Sequence, residues 1–255
     1  MPKTTHSIKA TYSAKVLTYS CEYCDTSYQT AKSYYFNGTD SSFTNLVTAD
    51  ENGAYNGASN TAVINANGQY EFLHDDNTKS GKAVVWIPKN GSGSTLFDGF
   101  STGNNAVGFL SFSVNSYMTS ALSMQLVDTT LRGVSSNFWG EGALPECFRI
   151  SAPSNGKVTV TGWTGTLKEI TVGEDMYTGW IDVTIGIQLT SDDQVTLYYY
   201  IDGEYMGQAT KQMTITSDKI DGAYFNGTSA VPNSGYMLDD IGMGYVTNGT
   251  WKYDK

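Results

Sequence analysis

Two neighbouring segments alternate so strictly that they fix the face of every side chain they carry. Trp180-Ile-Asp-Val-Thr-Ile-Gly-Ile-Gln-Leu189 sets Ile181, Val183, Ile185, Ile187 and Leu189 on one side, and Trp180, Asp182, Thr184, Gly186 and Gln188 on the other. Val195-Thr-Leu-Tyr-Tyr-Tyr-Ile-Asp202 repeats the pattern, with Val195, Leu197, Tyr199 and Ile201 opposite Thr196, Tyr198, Tyr200 and Asp202. A period of two belongs to an extended strand with one buried face. The short connection from Thr190 to Gln194 makes the pair antiparallel neighbours. Large rings therefore stand on the polar face among hydroxyl, carboxylate and amide groups. Such rings either pack on a neighbouring loop or are covered by a ligand, and this mixture suits a sugar, which has apolar C–H faces and hydroxyl edges.

The rest of the chain predicts strands almost throughout. Of 255 residues only 16% are charged, while Gly (27) and Tyr (18) are abundant and Pro (5) is scarce, a profile of strands and turns with few helical segments. Strands are expected at Ser33 to Phe36, Gly68 to Leu73, Lys82 to Ile87, Val107 to Asn115, Leu122 to Asp128, Cys147 to Ser151 and Lys157 to Trp163. They continue at Trp180 to Leu189, Val195 to Ile201, Glu204 to Thr210 and within Tyr236 to Tyr245. Asn52-Gly53, Asn67-Gly68, Asn90-Gly91, Asn155-Gly156 and Asp202-Gly203 supply turns between them. The fold class that follows is all-β, a two-sheet antiparallel β-sandwich. Phe36-Asn-Gly-Thr39 recurs as Phe225-Asn-Gly-Thr228, and both are read as turn chemistry.

Charge excludes several functions. A formal charge of −10 and two arginines, Arg132 and Arg149, leave no cationic cluster for a phosphate backbone. Nucleic acid is not an expected partner. No run of 18 apolar residues exists, so no membrane insertion is expected, and the N-terminal Met-Pro-Lys-Thr-Thr-His has no apolar signal core.

Cys21 and Cys24 form one C-x-x-C within Tyr19-Ser-Cys-Glu-Tyr-Cys-Asp-Thr-Ser-Tyr28, and Cys147 stands apart. Only His6 and His74 could join the pair on a zinc ion, at poor spacing. The segment from about Thr11 to Thr30 resembles a unit of the form Tyr-x-Cys-x-x-Cys-x-x-x-Tyr in large surface proteins of Gram-positive gut bacteria. That resemblance implies that residues 1–32 are a linker or the tail of a preceding module, and that 33–255 form the sandwich. It also implies a secreted or cell-surface location, in a monomeric module of a larger multidomain protein.

Tyr198-Tyr-Tyr-Ile-Asp-Gly-Glu-Tyr-Met-Gly207 is similar to a hairpin of concanavalin-like and laminin-G-like jelly rolls. Trp180-Ile-Asp-Val-Thr-Ile-Gly resembles the strand before that hairpin, and Tyr236-Met-Leu-Asp-Asp-Ile-Gly-Met-Gly-Tyr245 the closing strand. The resemblance covers roughly residues 177 to 246 and implies a jelly roll of the kind found in lectins, carbohydrate-binding modules, glycanases and polysaccharide lyases. Fold does not choose among these. Retaining glycanases of this fold carry Glu-x-Asp-x-Glu on one strand, with carboxyls about 5–5.5 Å apart. None of the eight glutamates alternates with another on a strand; Glu141 with Glu146, and Glu174 with Asp175, are the nearest to a pair. The Arg, Gln and His set of the lyases is absent, as is a Gly-x-Ser-x-Gly elbow.

The expectation is therefore a non-catalytic module that binds a neutral polysaccharide, a starch-like α-glucan or a plant cell-wall glucan, and tethers a larger protein to it. A glycanase or lyase using carboxylates near Trp139, and a protein-binding adhesin, are the alternatives. The face assignment makes Trp180, Tyr198, Tyr200 and Trp163 the stacking candidates, with Trp139 from the loop Phe138-Trp-Gly-Glu-Gly142. Asp182 and Gln188 supply directional hydrogen bonds. Trp86 and Trp251 are assigned to packing. No cofactor is required. One structural calcium is allowed for, at Asp50-Glu-Asn-Gly53, His74-Asp-Asp-Asn77 or Leu238-Asp-Asp-Ile241.

Overall fold

The computed structural model describes residues 8–13, 16–21, 27–35, 47–48, 63–73, 82–86, 97, 99–117, 121–131, 142–174, 178–228 and 235–248. Among them are seventeen strands. In chain order these are β1 (Ile8–Ser13), β2 (Val16–Cys21), β3 (Ser27–Tyr35), β4 (Val47–Thr48), β5 (Val63–Ile64), β6 (Tyr70–Leu73), β7 (Lys82–Trp86), β8 (Val107–Tyr117) and β9 (Ala121–Val127). There follow β10 (Phe148–Ile150), β11 (Lys157–Gly162), β12 (Gly165–Thr171), β13 (Ile181–Thr190), β14 (Gln194–Ile201), β15 (Glu204–Gln212), β16 (Gly222–Thr228) and β17 (Gly235–Val246). Two short 3-10 turns accompany them, and no helix among the described residues is long and apolar enough to cross a membrane.

The strands form two antiparallel sheets. The larger has ten strands in the order β1-β2-β3-β17-β8-β13-β14-β15, with β6 also on β17 and β5 on β6. The smaller has seven, β12-β11-β10-β9-β16-β7-β4. Inward residues from both sheets fill one core: Leu110, Phe112 and Val114 of β8 and the even-spaced set Ile181 to Leu189 of β13 meet Met124, Phe148, Val160 and Phe225. Phe112 stands edge-on to Phe148 and to Phe225, with ring centroids 5.5 Å and 5.2 Å away, so one ring bridges the layers in the geometry aromatic quadrupoles favour. The fold is an all-β sandwich of jelly-roll type.

Several strand ends are set by turn chemistry read from the sequence. Asp202 and Gly203 have φ of 52° and 76°, the left-handed pair that a two-residue hairpin needs between β14 and β15. Asn155 and Gly156 do the same before β11, at 52° and 70°.

Asn226-Gly227 departs from the expectation. It lies inside β16, a central strand of the small sheet flanked by β9 and β7, and is no turn. The glycine serves packing there: a Cβ on Gly227 would come within 2.1 Å of Cε1 of Tyr236 in the facing sheet. β12 was also unforeseen, because this edge strand buries little and its sequence shows no long apolar stripe.

The expected boundary at residues 32 and 33 falls within β3. Lys32 to Tyr35 pair with Tyr245 to Gly242 of β17, and β1 and β2 extend the sheet outward from β3.

Candidate functional site

Pairing registers place the outward side chains of the large sheet in rows. Ser111, Ser113 and Asn115 of β8 share the outward face with Asp182, Thr184, Gly186 and Gln188 of β13, because Phe112 and Val183, like Val114 and Ile181, point into the core. Ser113 is paired with Asp182 on one side and with Asp239 of β17 on the other. One residue beyond the Val114–Ile181 pair stand Asn115 and Trp180, and Asn115 is paired on its other side with Met237, itself paired with Glu71 of β6. A corner of the sheet thus gathers Trp180, Asp182, Ser113, Asn115, Asp239 and Glu71.

The bulge between Asp239 and Gly242 sets the last member. Asp240 there has φ of 49° and its amide donates to Asp239 Oδ1 at 2.9 Å. Bulges re-aim side chains, and this one gives β17 a second carboxylate near Asp182. Partial burial, and then the Asp239 and Asp182 carboxylates, hold the Asp240 carboxyl above the ordinary range.

Bonds at the corner are few and directional. Ser113 Oγ donates to Asp182 Oδ1 at 2.6 Å. The Asp182 amide donates to Asp202 Oδ1 at 3.0 Å, and Asp202 is ion-paired with Lys168. Asn115, 9% exposed, buries its side-chain oxygen with no donor, an omission that typically costs about 1–3 kcal/mol. Trp180 is 43% exposed, the most exposed large apolar side chain among the described residues. An open ring beside hydrogen-bond acceptors can stack on an apolar face and take hydroxyl donors from its rim.

The other expected site residues fall elsewhere or are differently occupied. Tyr198 shares the outward face, opposite Gly186, but is 6% exposed, and its hydroxyl donates to Gln188 Oε1 at 3.1 Å. The ring expected in water is withdrawn from it, and Gln188 is its bonding partner. Tyr200 is half-buried, opposite Thr184, with its ring tilted against Tyr205 at 5.4 Å.

Trp163 is not part of this face. It lies past the end of β11, in the turn to β12, and its ring packs against the core. Its amide donates to the Tyr199 hydroxyl at 3.0 Å, its indole N–H donates to the Glu146 carbonyl at 2.9 Å, and Lys211 Nζ lies 4.7 Å from the ring centroid. Tyr199 in turn donates to the Cys147 carbonyl at 2.8 Å, so Trp163 and Tyr199 clip the two sheets together. Burial pushes the free Cys147 thiol up to about 12, which leaves it protonated and unreactive.

Trp139, Glu141, Asp175, Cys24, His6, His74, Trp251 and the segments 50–53 and 74–77 lie outside the described residues. Glu146 is described, and is exposed with its carboxylate 3.5 Å from Arg149. Among the described residues no three His, Cys, Asp or Glu side chains converge on one metal ion, Asp239 and Asp240 included. Sequence reasoning missed Ser113, Asn115 and Glu71, although the alternation Ser111-Phe-Ser-Val-Asn115 carried the signal for the first two.

No protein-family model and no curated protein sequence matches the chain. Among solved structures, the chain is similar to the CBM2 module of the evolved Dit of Lactobacillus casei BL23 phage J-1, at 17% identity over 87% of this chain and 99% of that one, with a TM-score of 0.44. The metal-free carbohydrate recognition domain of Emp46p is similar at 9% identity over 83% and 95% of the two chains, with a TM-score of 0.48. The endo-beta-1,4-glucuronan lyase of Trichoderma reesei is similar at 11% identity over 83% and 94%, with a TM-score of 0.46.

Proposed function

We propose that the chain is a carbohydrate-binding module that holds a polysaccharide without acidic groups, such as a starch-like α-glucan or a plant cell-wall glucan, and tethers a larger secreted or cell-surface protein to it. The observation that carries this reading is the exposed Trp180 ring at the end of β13, at a sheet corner where Asp182 and Asp239 share the outward face with Asn115. Clustered carboxylates oppose uronic acids and sulfated glycans. Affinity electrophoresis in starch, glycogen, xyloglucan, mannan and β-glucan gels tests it. Retardation in at least one gel, lost in Trp180→Ala, is the expected result; free migration in all five removes the reading.

A glycanase or lyase is the second reading. What favours it is the Asp240 carboxyl, held above the ordinary carboxylate range by partial burial and its carboxylate neighbours, since a carboxyl that keeps its proton to higher pH can serve as a general acid. Release of reducing sugar from a retained polysaccharide, abolished by Asp240→Asn, would establish it. Silence in both assays directs attention to a protein partner.

A further inference from the structure

We propose that the Trp180 corner takes a sugar unit bearing a protonated amine in preference to the same unit carrying a hydroxyl. The inference rests on the carbohydrate-binding reading and names the ligand class of that site.

The first observation is the chemistry of the rim. Asp182, Asp239 and Asp240 present carboxylates around the junction of β8, β13 and β17, and Glu71 adds another beyond Met237. A carboxylate only accepts hydrogen bonds at neutral pH. Lys168 is engaged with Asp202, which accepts from the Asp182 amide. Among the described residues no ion pair engages Glu71, Asp239 or Asp240. Asp182 is met by a neutral hydroxyl donor, Ser113.

The second observation is independent of charge. Asn115 Oδ1 is buried and lacks a donor, on the same strand face as Ser113 and between Met237 and Trp180. It is one more acceptor in a place already rich in them. A hydroxyl brings one proton and two lone pairs, and those lone pairs find few donors here. An ammonium brings three protons and no lone pair, so a rim of acceptors satisfies it completely.

Third, the carboxylates do not converge on a single ion. Their spread across three strands matches an extended ligand whose charge is carried on a ring that stacks on Trp180. The crowding of like charge at Asp240, where burial is reinforced by Asp239 and Asp182, is relieved by a cation placed among them.

The test is calorimetric titration of the full chain at about pH 6 with three hexamers: fully deacetylated chitosan, its N-acetylated counterpart, and cellohexaose, which carries a hydroxyl in place of the amine. The deacetylated hexamer is expected to bind on the order of tenfold more tightly than cellohexaose in low salt. Added salt at about 0.5 M should reduce that ratio to within about twofold, since screening then acts over a few ångströms. Asp239→Asn and Asp240→Asn should narrow the ratio, weakening the deacetylated hexamer more than cellohexaose. Trp180→Ala, with its melting temperature checked, should weaken all three. Equal or tighter binding of cellohexaose overturns the amine preference and leaves the carbohydrate reading standing. So does amine binding that survives Trp180→Ala, which would mark attraction of a polycation to an acidic protein. If no hexamer binds and no polysaccharide gel retards the chain, the carbohydrate reading itself fails and takes this inference with it.

Discussion

Ser113 donates its hydroxyl to Asp182 across the β8–β13 pairing, Oγ to Oδ1 at 2.6 Å, and so fixes the carboxylate two residues along the chain from Trp180. Ser113 is buried and Asp182 exposed, which makes the serine the anchor and the aspartate the contact. Ser113→Ala removes one hydrogen bond to a charged group, worth about 1.5–3 kcal/mol in typical cases. The exposed acceptor can turn to water, so the expected loss of stability is at the lower end of that range or below. Ligand affinity should fall by roughly three- to tenfold as Asp182 loses its fixed orientation. Thermal melting and gel retardation on the one variant separate the two effects.

Trp180 and Tyr198 should respond in opposite ways. Trp180 is exposed and Tyr198 is buried, with its hydroxyl bonded to Gln188. Trp180→Ala should weaken polysaccharide binding by roughly 5- to 150-fold, the equivalent of about 1–3 kcal/mol of stacking, and leave the melting temperature nearly unchanged. Tyr198→Ala should cost about 2–5 kcal/mol of stability through the cavity it opens. A stable Tyr198→Ala with strongly reduced affinity would return that ring to the site.

Strands were legible where one face is buried and the other is wet. β13 and β14 begin and end within a residue of where their alternation does, because each apolar residue of the pattern is a core contact. β16 was not legible: its Asn226-Gly227 has the composition of a turn, and the ring that demands the glycine belongs to Tyr236, near in space and in another sheet. The site was half legible for a related reason. Alternation put Trp180 and Asp182 on the right face, but which neighbours complete the corner depends on β8 lying between β13 and β17, and pairing order is a tertiary property. It also carried the alternation of β11 through to Trp163, which lies past the strand's end in the turn to β12.

Gly227→Ala tests that account of β16. A Cβ at 2.1 Å from Cε1 of Tyr236 cannot be accommodated without moving a buried ring, so the substitution should destabilise by about 1–3 kcal/mol. Chemical denaturation of the variant reads this directly. A neutral result would show that Tyr236 can shift within the core.

The N-terminal strands give a graded prediction. Deleting residues 1–26 removes β1 and β2 and leaves β3 on β17, so the melting temperature should stay within a few degrees and retardation should persist. Deleting residues 1–35 also strips the partner of Gly242 to Tyr245 and exposes that stretch of the β17 edge, while β6 still covers Gly235 to Leu238. Aggregation or a clear loss of stability is expected. Equal behaviour of the two deletions would mean that β3 contributes little to the sandwich.

Asp240 should impose a pH dependence of identifiable sign. Its folded-state affinity for a proton is raised, by partial burial and then by Asp239 and Asp182, so the folded chain binds that proton more tightly than the unfolded chain. Below the ordinary aspartate range both states are protonated and the site costs nothing. As pH rises from that range through the higher folded-state value, the unfolded chain releases its proton more readily, and stability falls until both are ionised. Asp240→Asn removes the titration, and asparagine tolerates the left-handed backbone at this position. The variant should be more stable than the parent at pH 7, on the order of a few tenths of a kcal/mol, because the group is exposed and water screens its neighbours. The advantage should vanish below about pH 4. Denaturation midpoints of parent and variant across pH 3 to 8 measure it, and an advantage that persists unchanged in acid would show that it comes from the backbone and not from the carboxylates.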